Sequence, residues 1–519
     1  MLKARRDKLL DIARRYYELV AQEVDIIGTL KRDLFLVERL GDGKTRVRVY
    51  DTNSKSEIGL KIYDRTFLSS ETDEVILYGL TDHDVFRVKG RASRRDVKVR
   101  MIGGLGQDIL EDESSDGRQL IFYDAKGEGN LLQTGAQAKV KLKKDPIYNT
   151  YDHESPDYNF DYASLLPFAN FNPDDGVLLG FNLSLTRYGF KQSPYAASHQ
   201  LSGLYALATN GLSFDYQGTF IDIFGPFEFG IDANFQTLLY STNFYGFGNE
   251  TINLEEELEE RGVDDERDYN RVRQRRFFLN PSFMRQLNPD SRITIGPTYE
   301  STRIERTESR FIDEVGDELN PDIFEGIDLA GARLLLDYQS LDQQTMPTRG
   351  LRFRLEGGYK QQLQDSGRNF AFLNTAFSAY QGIDSRGRLV FATRVGLQHR
   401  FGNGFEFFQA ASLGGPGPDA NFRGFRRTRF IGRTAFYQNT DLRWKLLSSA
   451  NPTLPFSLGV TAGFDHGRVW LDEEESDEWH YSYGGSLWLS PFDLFVVNAG
   501  LYRGDKGEVR ALVSGGFFF

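Results

Sequence analysis

From about residue 165 to Phe519, apolar and polar side chains alternate with a period of two, in runs broken by Gly, Pro, Asn and Asp. In 351–360, the positions Leu351, Phe353, Leu355, Gly357 and Tyr359 alternate with Arg352, Arg354, Glu356, Gly358 and Lys360. The run 389–398 behaves similarly, and Tyr481, Tyr483, Leu487 and Leu489 alternate with Ser482, Gly484, Ser486 and Ser490. A two-residue period is that of a strand with two unlike faces. These runs reach ~10 residues, enough for a tilted strand to cross a bilayer, whereas soluble sheets use strands of about 5–6 residues. The pattern predicts sixteen strands, at 165–172, 177–190, 199–209, 212–224, 226–242, 272–287, 292–305, 329–342, 350–363, 369–383, 388–402, 434–447, 455–470, 479–490, 494–503 and 508–519. An even count suits a closed antiparallel barrel with no free edge in lipid. The long connections 243–271, 306–328, 403–433 and 471–478 all follow odd-numbered strands, as long outer loops and short periplasmic turns require.

The first part of the chain has other periods. Over 3–28, Leu9, Ile12, Ala13, Tyr16, Leu19, Val20, Val24 and Ile27 recur at helical spacing and predict an amphipathic helix. Short strands follow at 46–50, 58–62, 75–78 and 97–102. This divides the chain into a helix (1–30), a β-rich periplasmic module (31–145), a linker (146–164) and a barrel (165–519). Gly103-Gly104-Leu105-Gly106-Gln107-Asp108 matches a calcium-binding repeat, and Gly79 to Asp84 looks like a degenerate copy 24 residues earlier. That makes Asp82, Asp84 and Asp108 weak metal candidates; turns between stacked strands are the preferred reading. No cofactor is expected.

Mean hydropathy is −0.46. With no stretch that approaches the ~18 apolar residues a membrane helix requires, it argues against membrane helices but not against a barrel with a polar lumen. The net charge of −12 argues against a nucleic-acid surface. Part of it lies in the acidic runs Glu255, Glu256, Glu257 and Asp264, Asp265, Glu266, which read as solvated outer loops. The chain has no Cys and six His, and no zinc or Ser-His-Asp constellation is evident, so an enzyme is not expected. Charges interrupt each apolar run near Met1, so the start does not read as a signal peptide and the chain is expected to be part of something larger.

Several motifs carry a family resemblance. Leu336 to Asp342 with Pro347-Thr348-Arg349-Gly350, Phe422-Arg423-Gly424-Phe425, the segment Phe464 to Trp470, and Leu166 to Gly176 occur in that family's motifs and in register with the strand count. Together they resemble the BamA/TamA outer-membrane assembly superfamily, also called the bacterial surface antigen family. Phe422 departs from the Val or Ile usual there. The last strand, expected to run 508–519, ends on a Phe that resembles the C-terminal signal of outer-membrane proteins. Period-two counting points Asp465 inward, where a carboxylate can accept the planar fork of Arg423 from a sixth loop folded into the lumen; Gly424 permits the sharp turn, and Gly467 lies on the same wall. The resemblance implies a location in the bacterial outer membrane, with outer-membrane lipid, client outer-membrane proteins and periplasmic or lipoprotein accessory subunits as partners. It also implies insertion or translocation of proteins or lipids through a seam between first and last strands. Pro167, Pro173, Gly515, Gly516 and Phe519 are its candidate residues, because Pro removes ladder donors and Gly packs no side chain. The segment from Tyr78 to Asp108 resembles the region preceding the barrel in fusions with an upstream calcineurin-like metallophosphoesterase. The alternative function is therefore a membrane anchor for such an enzyme, whose own metal motifs this chain lacks.

Overall fold

Two hydrophobic periods produce two kinds of sheet. The computed structural model describes residues 8–53, 57–91, 93, 95–115, 119–133, 138–153, 161–172, 176–253, 269–415, 420–449, 451, 454–472 and 474–519. Pro173 and the acidic runs near 255 and 265 lie outside the described residues. The chain divides into Met1–Asn159 with Phe190–Gln192, and Phe160–Gly189 with Ser193–Phe519.

Residues 1–7 of the expected helix lie outside the described residues; among the described ones the first unit begins with helix α1 (Leu9–Ala21), which ends earlier than the helical period suggested. Val24 and Ile27 fall instead in strand β1 (Glu23–Ile27). Parallel pairing with β5 (Glu74–Tyr78) and burial of Ile26 outweigh helix propensity there. The other strands are β2 (Asp33–Gly41), β3 (Lys44–Thr52), β4 (Ile58–Leu68), β6 (Val85–Gly90), β7 (Lys98–Ile102), β8 (Ile109–Asp112), β9 (Leu120–Ala125), β10 (Leu131–Gln133) and β11 (Lys139–Lys143). From β5 to β11 the chain alternates between two sheets, ordered β1-β5-β7-β9-β11 and β10-β8-β6-β2-β3-β4. It therefore winds as a parallel coil, with the β3–β4 hairpin added at one edge. In its core Phe35 stacks on Phe86 of the neighbouring strand, and Phe86 meets Phe122 of the facing sheet edge-to-face.

The 24-residue spacing of the Gly-Asp motifs is one turn of this coil. Asp84 N–H donates to Asp108 Oδ1 at 2.8 Å, and Thr81 bridges Leu105 in parallel. Asp33 N–H donates to Asp84 Oδ1 and Asp108 N–H to Asn130 Oδ1. Gly28, five residues before Asp33, is a third copy that sequence reading missed. A Cβ on Gly103 would lie 2.3 Å from Asp108 Oδ2, so glycine makes room for each buried carboxyl. These carboxyls terminate backbone ladders, while Asp82 is exposed; the three candidates do not form a cluster of metal-ligand spacing. Burial pushes Asp84 up to about 9 and raises Asp108 as well, the latter also through its neighbour Asp124.

The second unit is one sixteen-stranded antiparallel sheet in sequence order. Its strands are β12 (Tyr162–Asn172), β13 (Gly176–Arg187), β14 (Ala197–Ala206), β15 (Leu212–Phe224), β16 (Phe227–Asn243), β17 (Arg271–Asn288), β18 (Ser291–Ile304), β19 (Ile327–Leu341), β20 (Arg349–Gln362), β21 (Asn369–Gly382) and β22 (Leu389–Phe401). After a loop hairpin of β23 (Ala411–Leu413) and β24 (Phe430–Gly432) come β25 (Thr434–Ser449), β26 (Phe456–Trp470), β27 (His480–Pro491), β28 (Val497–Gly504) and β29 (Val509–Gly515). The alternation that predicted them separates outward Leu, Phe and Trp from an inward polar set. The first strand starts at Tyr162, inside the expected linker, whose other end forms a short 3₁₀ turn, Pro146–Asn149.

One expectation fails at the end of the sheet. The last strand stops at Gly515, and Phe517, Phe518 and Phe519 are not in it. Gly516 has φ +110°, a conformation open to glycine, and redirects the three rings to the cavity side of the sheet.

Candidate functional site

The long connection between β22 and β25 folds back against the inner face of the sheet. Its hairpin β23–β24 carries the turn that contains Phe422, Arg423, Gly424 and Phe425. Phe422 and Phe425 stack with ring centroids 5.1 Å apart, and Phe425 meets Phe430 at 5.3 Å. With Leu413, Tyr437 and Val469 they form a buried apolar cluster, which supplies the burial that a long polar loop otherwise lacks. Gly424 has φ +81°, and a Cβ there would lie 2.9 Å from Ser482 Cβ, so both backbone and space require glycine.

That cluster presents Arg423 to the wall. Its Nε donates to Asp465 Oδ2 at 2.8 Å and its Nη2 to Asp465 Oδ1 at 2.5 Å, a two-pronged pair, while its backbone N–H also donates to Oδ2 at 2.9 Å. Nη1 donates to Asp441 Oδ1 at 2.7 Å and to the Tyr502 hydroxyl at 3.0 Å. All three charged side chains are almost wholly buried. Gly463 allows this approach, since a Cβ there would stand 2.7 Å from Arg423 Nη1. Gly467, the other predicted wall residue, passes close to Leu413 of the loop.

Asp441, Tyr502 and Gly463 were not singled out in the sequence. The signal for Asp441 was present: Asn439, Asp441 and Arg443 are successive inward positions of β25, opposite Leu442 and Trp444. Three hydrogen-bonding side chains on one face of a membrane-length strand require partners inside the sheet.

The redirected tail supplies a further part of the site. Arg443 Nη2 donates to the Phe519 carbonyl at 2.8 Å. The Arg443 guanidinium lies 4.2 Å from the Phe517 ring centroid, and that of Arg394 lies 5.0 and 5.3 Å from Phe518 and Phe519. Arg423 itself is 4.8 Å from the Phe518 centroid. One guanidinium thus contacts the loop's wall partners and the tail beyond the last strand. Beyond this cluster, a cavity of about 1490 Å³ is lined by Arg352, Arg354, Glu356, Lys360 and the tail rings.

Of the predicted seam residues, Pro167 and Gly515 lie in the two end strands of the sheet, whereas Gly516 and Phe519 lie beyond the last strand. Pro167 faces Phe181 of β13, and Gly515 faces Val497 of β28. Among the described residues no pairing joins β12 to β29. Neighbouring Leu165 and Leu166 project to opposite faces, yet both remain exposed by more than 60%, as befits an edge strand without cover on either side. Elsewhere, Glu478, His480 and Asp505 bring ligand-type atoms together, but Lys506 forms an ion pair with Glu478 and His480 Nδ1 lies 3.2 Å from Asp505 Oδ2, so each of the three already has a protein partner.

Comparison with known proteins follows the same lines. Residues 226–519 match the model of the Omp85 superfamily domain. Among solved structures, BamA from Haemophilus ducreyi lacking POTRA domains 1–3 aligns with a TM-score of 0.50 and 15% identity, over 69% of this chain and 70% of that one. CdiB from Escherichia coli aligns at 0.41 and 14%, over 67% and 61%, and CdiB from Acinetobacter baumannii at 0.39 and 12%, over 68% and 58%. No curated protein sequence matches. The BamA likeness supports the fold, and the family match spans more than half of the chain, including the inward loop, its aspartate wall and the last strand; the chain belongs to the Omp85 superfamily.

Proposed function

We propose that this chain is a sixteen-stranded outer-membrane barrel that inserts or translocates proteins through a lateral opening between β12 and β29. The observation that carries the reading is the state of the two end strands: β12 and β29 share no pairing among the described residues, and the residues that would extend β29 are drawn inward onto Arg394, Arg423 and Arg443. β12, paired to β13 along one edge only, offers the backbone N–H and C=O groups of its other edge to an incoming strand, and pairing by β-augmentation lets a client add strands without exposing its own edge to lipid. The superfamily match and the BamA fold support an assembly or translocation barrel, and the parity of the long connections supports placing the first unit in the periplasm. Client outer-membrane proteins are the proposed substrates, with lipid as surrounding solvent and accessory subunits on the periplasmic side. The reading assigns the chain no catalytic step.

The experiment is reconstitution. Vesicles containing the purified chain are mixed with a urea-denatured small outer-membrane barrel, and the folded, protease-resistant client is measured. A gain over empty vesicles and over vesicles holding an unrelated barrel is expected. Equal yields in all three would refute the proposal.

A further inference from the structure

We propose that α1 binds a lipid surface, lying in the boundary between headgroups and acyl chains with its apolar face down. The evidence is the distribution of side chains and what covers them. Leu9, Leu10, Ile12, Tyr16, Leu19 and Val20 are each more than half exposed, a large apolar face for a helix of 13 residues. At about 100° per residue, these six with Ala13 and Tyr17 occupy roughly half of the helix circumference. Arg15 follows the face on one border with Lys8 near it, Arg14 stands on the other, and Asp11 and Glu18 lie opposite its centre.

This charge order identifies the occupant. Cations at both borders of an apolar face can extend to lipid phosphates while their stems cover hydrocarbon. Carboxylates at the far side remain in water, away from anionic headgroups. A helix made to pack on a protein core gains nothing from that order. Among the described residues the module leaves the face open: its hydrogen bonds to the helix side chains run through Tyr17, whose hydroxyl donates to Glu71 at 3.3 Å and accepts from Arg65 at 3.4 Å. Arg65 belongs to β4, the edge strand on which Ile58, Leu60 and Ile62 are also exposed. A second apolar stripe therefore lies on the same strand that the helix touches. The interaction is independent of how the seam works, so its failure would leave the proposed function standing.

The absence of cysteine makes the test direct. Single cysteines are placed at Leu9, Tyr16 and Val20 on the apolar face and at Asp11 and Glu18 opposite, then labelled with an environment-sensitive fluorophore in the full chain. The chain is reconstituted in vesicles of phosphatidylethanolamine and phosphatidylglycerol, with and without lipids brominated along the acyl chain. Blue-shifted emission and strong quenching by brominated lipid are expected at 9, 16 and 20, with neither at 11 and 18. Arg14→Glu combined with Arg15→Glu is expected to remove most of the quenching at 16. Unquenched probes at 9, 16 and 20 overturn the proposal. So does blue-shifted emission there without quenching, because that pattern marks a protein neighbour, whether another segment or a second copy.

Discussion

Replacing Arg423 by Ala removes the only cation within hydrogen-bonding distance of Asp465 among the described residues and one of two at Asp441, which keeps Arg443 at 3.1 Å. Asp465 would retain the residue-423 N–H at 2.9 Å and Ser482 Oγ at 3.5 Å, both neutral donors. Breaking a buried ion pair by removing one partner costs about 3–5 kcal/mol, most of it from the carboxylate left behind. At about 1.4 kcal/mol per tenfold, the docked loop loses roughly two to three and a half orders of magnitude against the undocked one. The aromatic cluster of Phe422, Phe425 and Phe430 survives the substitution, so the loop should still dock most of the time but open far more often. The assay is limited proteolysis of residues 402–433 from the outer side of intact vesicles, at a protease concentration where cleavage follows a rapid opening equilibrium. The cleavage rate should rise by about a hundredfold or more in Arg423→Ala, by less in Arg423→Lys, which keeps the charge but not the planar fork. Adding Asp465→Asn to Arg423→Ala should recover part of the loss, because the uncompensated charge is gone. Cleavage of Arg423→Ala within about threefold of the parent, well below the loss expected for a buried pair, would refute this account of what holds the loop.

Three other perturbations test separate parts of the structure. Phe518→Ala removes a ring that meets both Arg394 and Arg423, each contact worth about 0.5–2 kcal/mol, and should raise maleimide labelling of a cysteine placed at residue 519; unchanged labelling would show that the tail is held by other means. Gly424→Ala meets both an unfavourable φ and the Ser482 side chain, at a cost of about 1–3 kcal/mol, and should increase loop cleavage as Arg423→Ala does, though less. In the module, the folded-state pKa of Asp108 is raised above 3.8 to about 8, so the folded form holds its proton more tightly. The associated stability is complete below about pH 4 and is lost as pH rises through about 8. Asp108→Asn keeps the acceptor for Asp84 N–H, as Asn130 does one coil further on. It should raise the module's melting temperature at pH 8 and flatten its decline with pH; a lower temperature there would contradict the reading of a protonated buried ladder.

The sequence made the large sheet legible because lipid outside and polar groups inside impose one period over more than ten residues, so strands such as 212–224 matched to the residue. Arg423 and Asp465 could be paired from motif and parity. The fate of Phe517, Phe518 and Phe519 could not be read: a strand continuation and an inward turn have the same local composition, and arginines from β22, β25 and the long loop, remote in sequence, decide between them. The coil of the first unit was hidden for a related reason. Its strands pair in parallel with partners remote in sequence, as Glu74 does with Lys98 and Glu23 with Glu74, so no local period announces it. Only the paired Gly-Asp turns hinted at the repeat, and the first copy at Gly28 was absorbed into the helical pattern before it.

The lateral opening is tested most directly by closing it. With no native cysteine, one cysteine within 165–169 of β12 and one within 510–514 of β29 can form a single disulfide across the seam, screened over several pairs for oxidation yield. Client folding by the reconstituted chain is then measured in the oxidised form and again after reduction. The account predicts that the locked form falls to the level of empty vesicles and that reduction restores activity. Full client folding by a demonstrably cross-linked chain would contradict it.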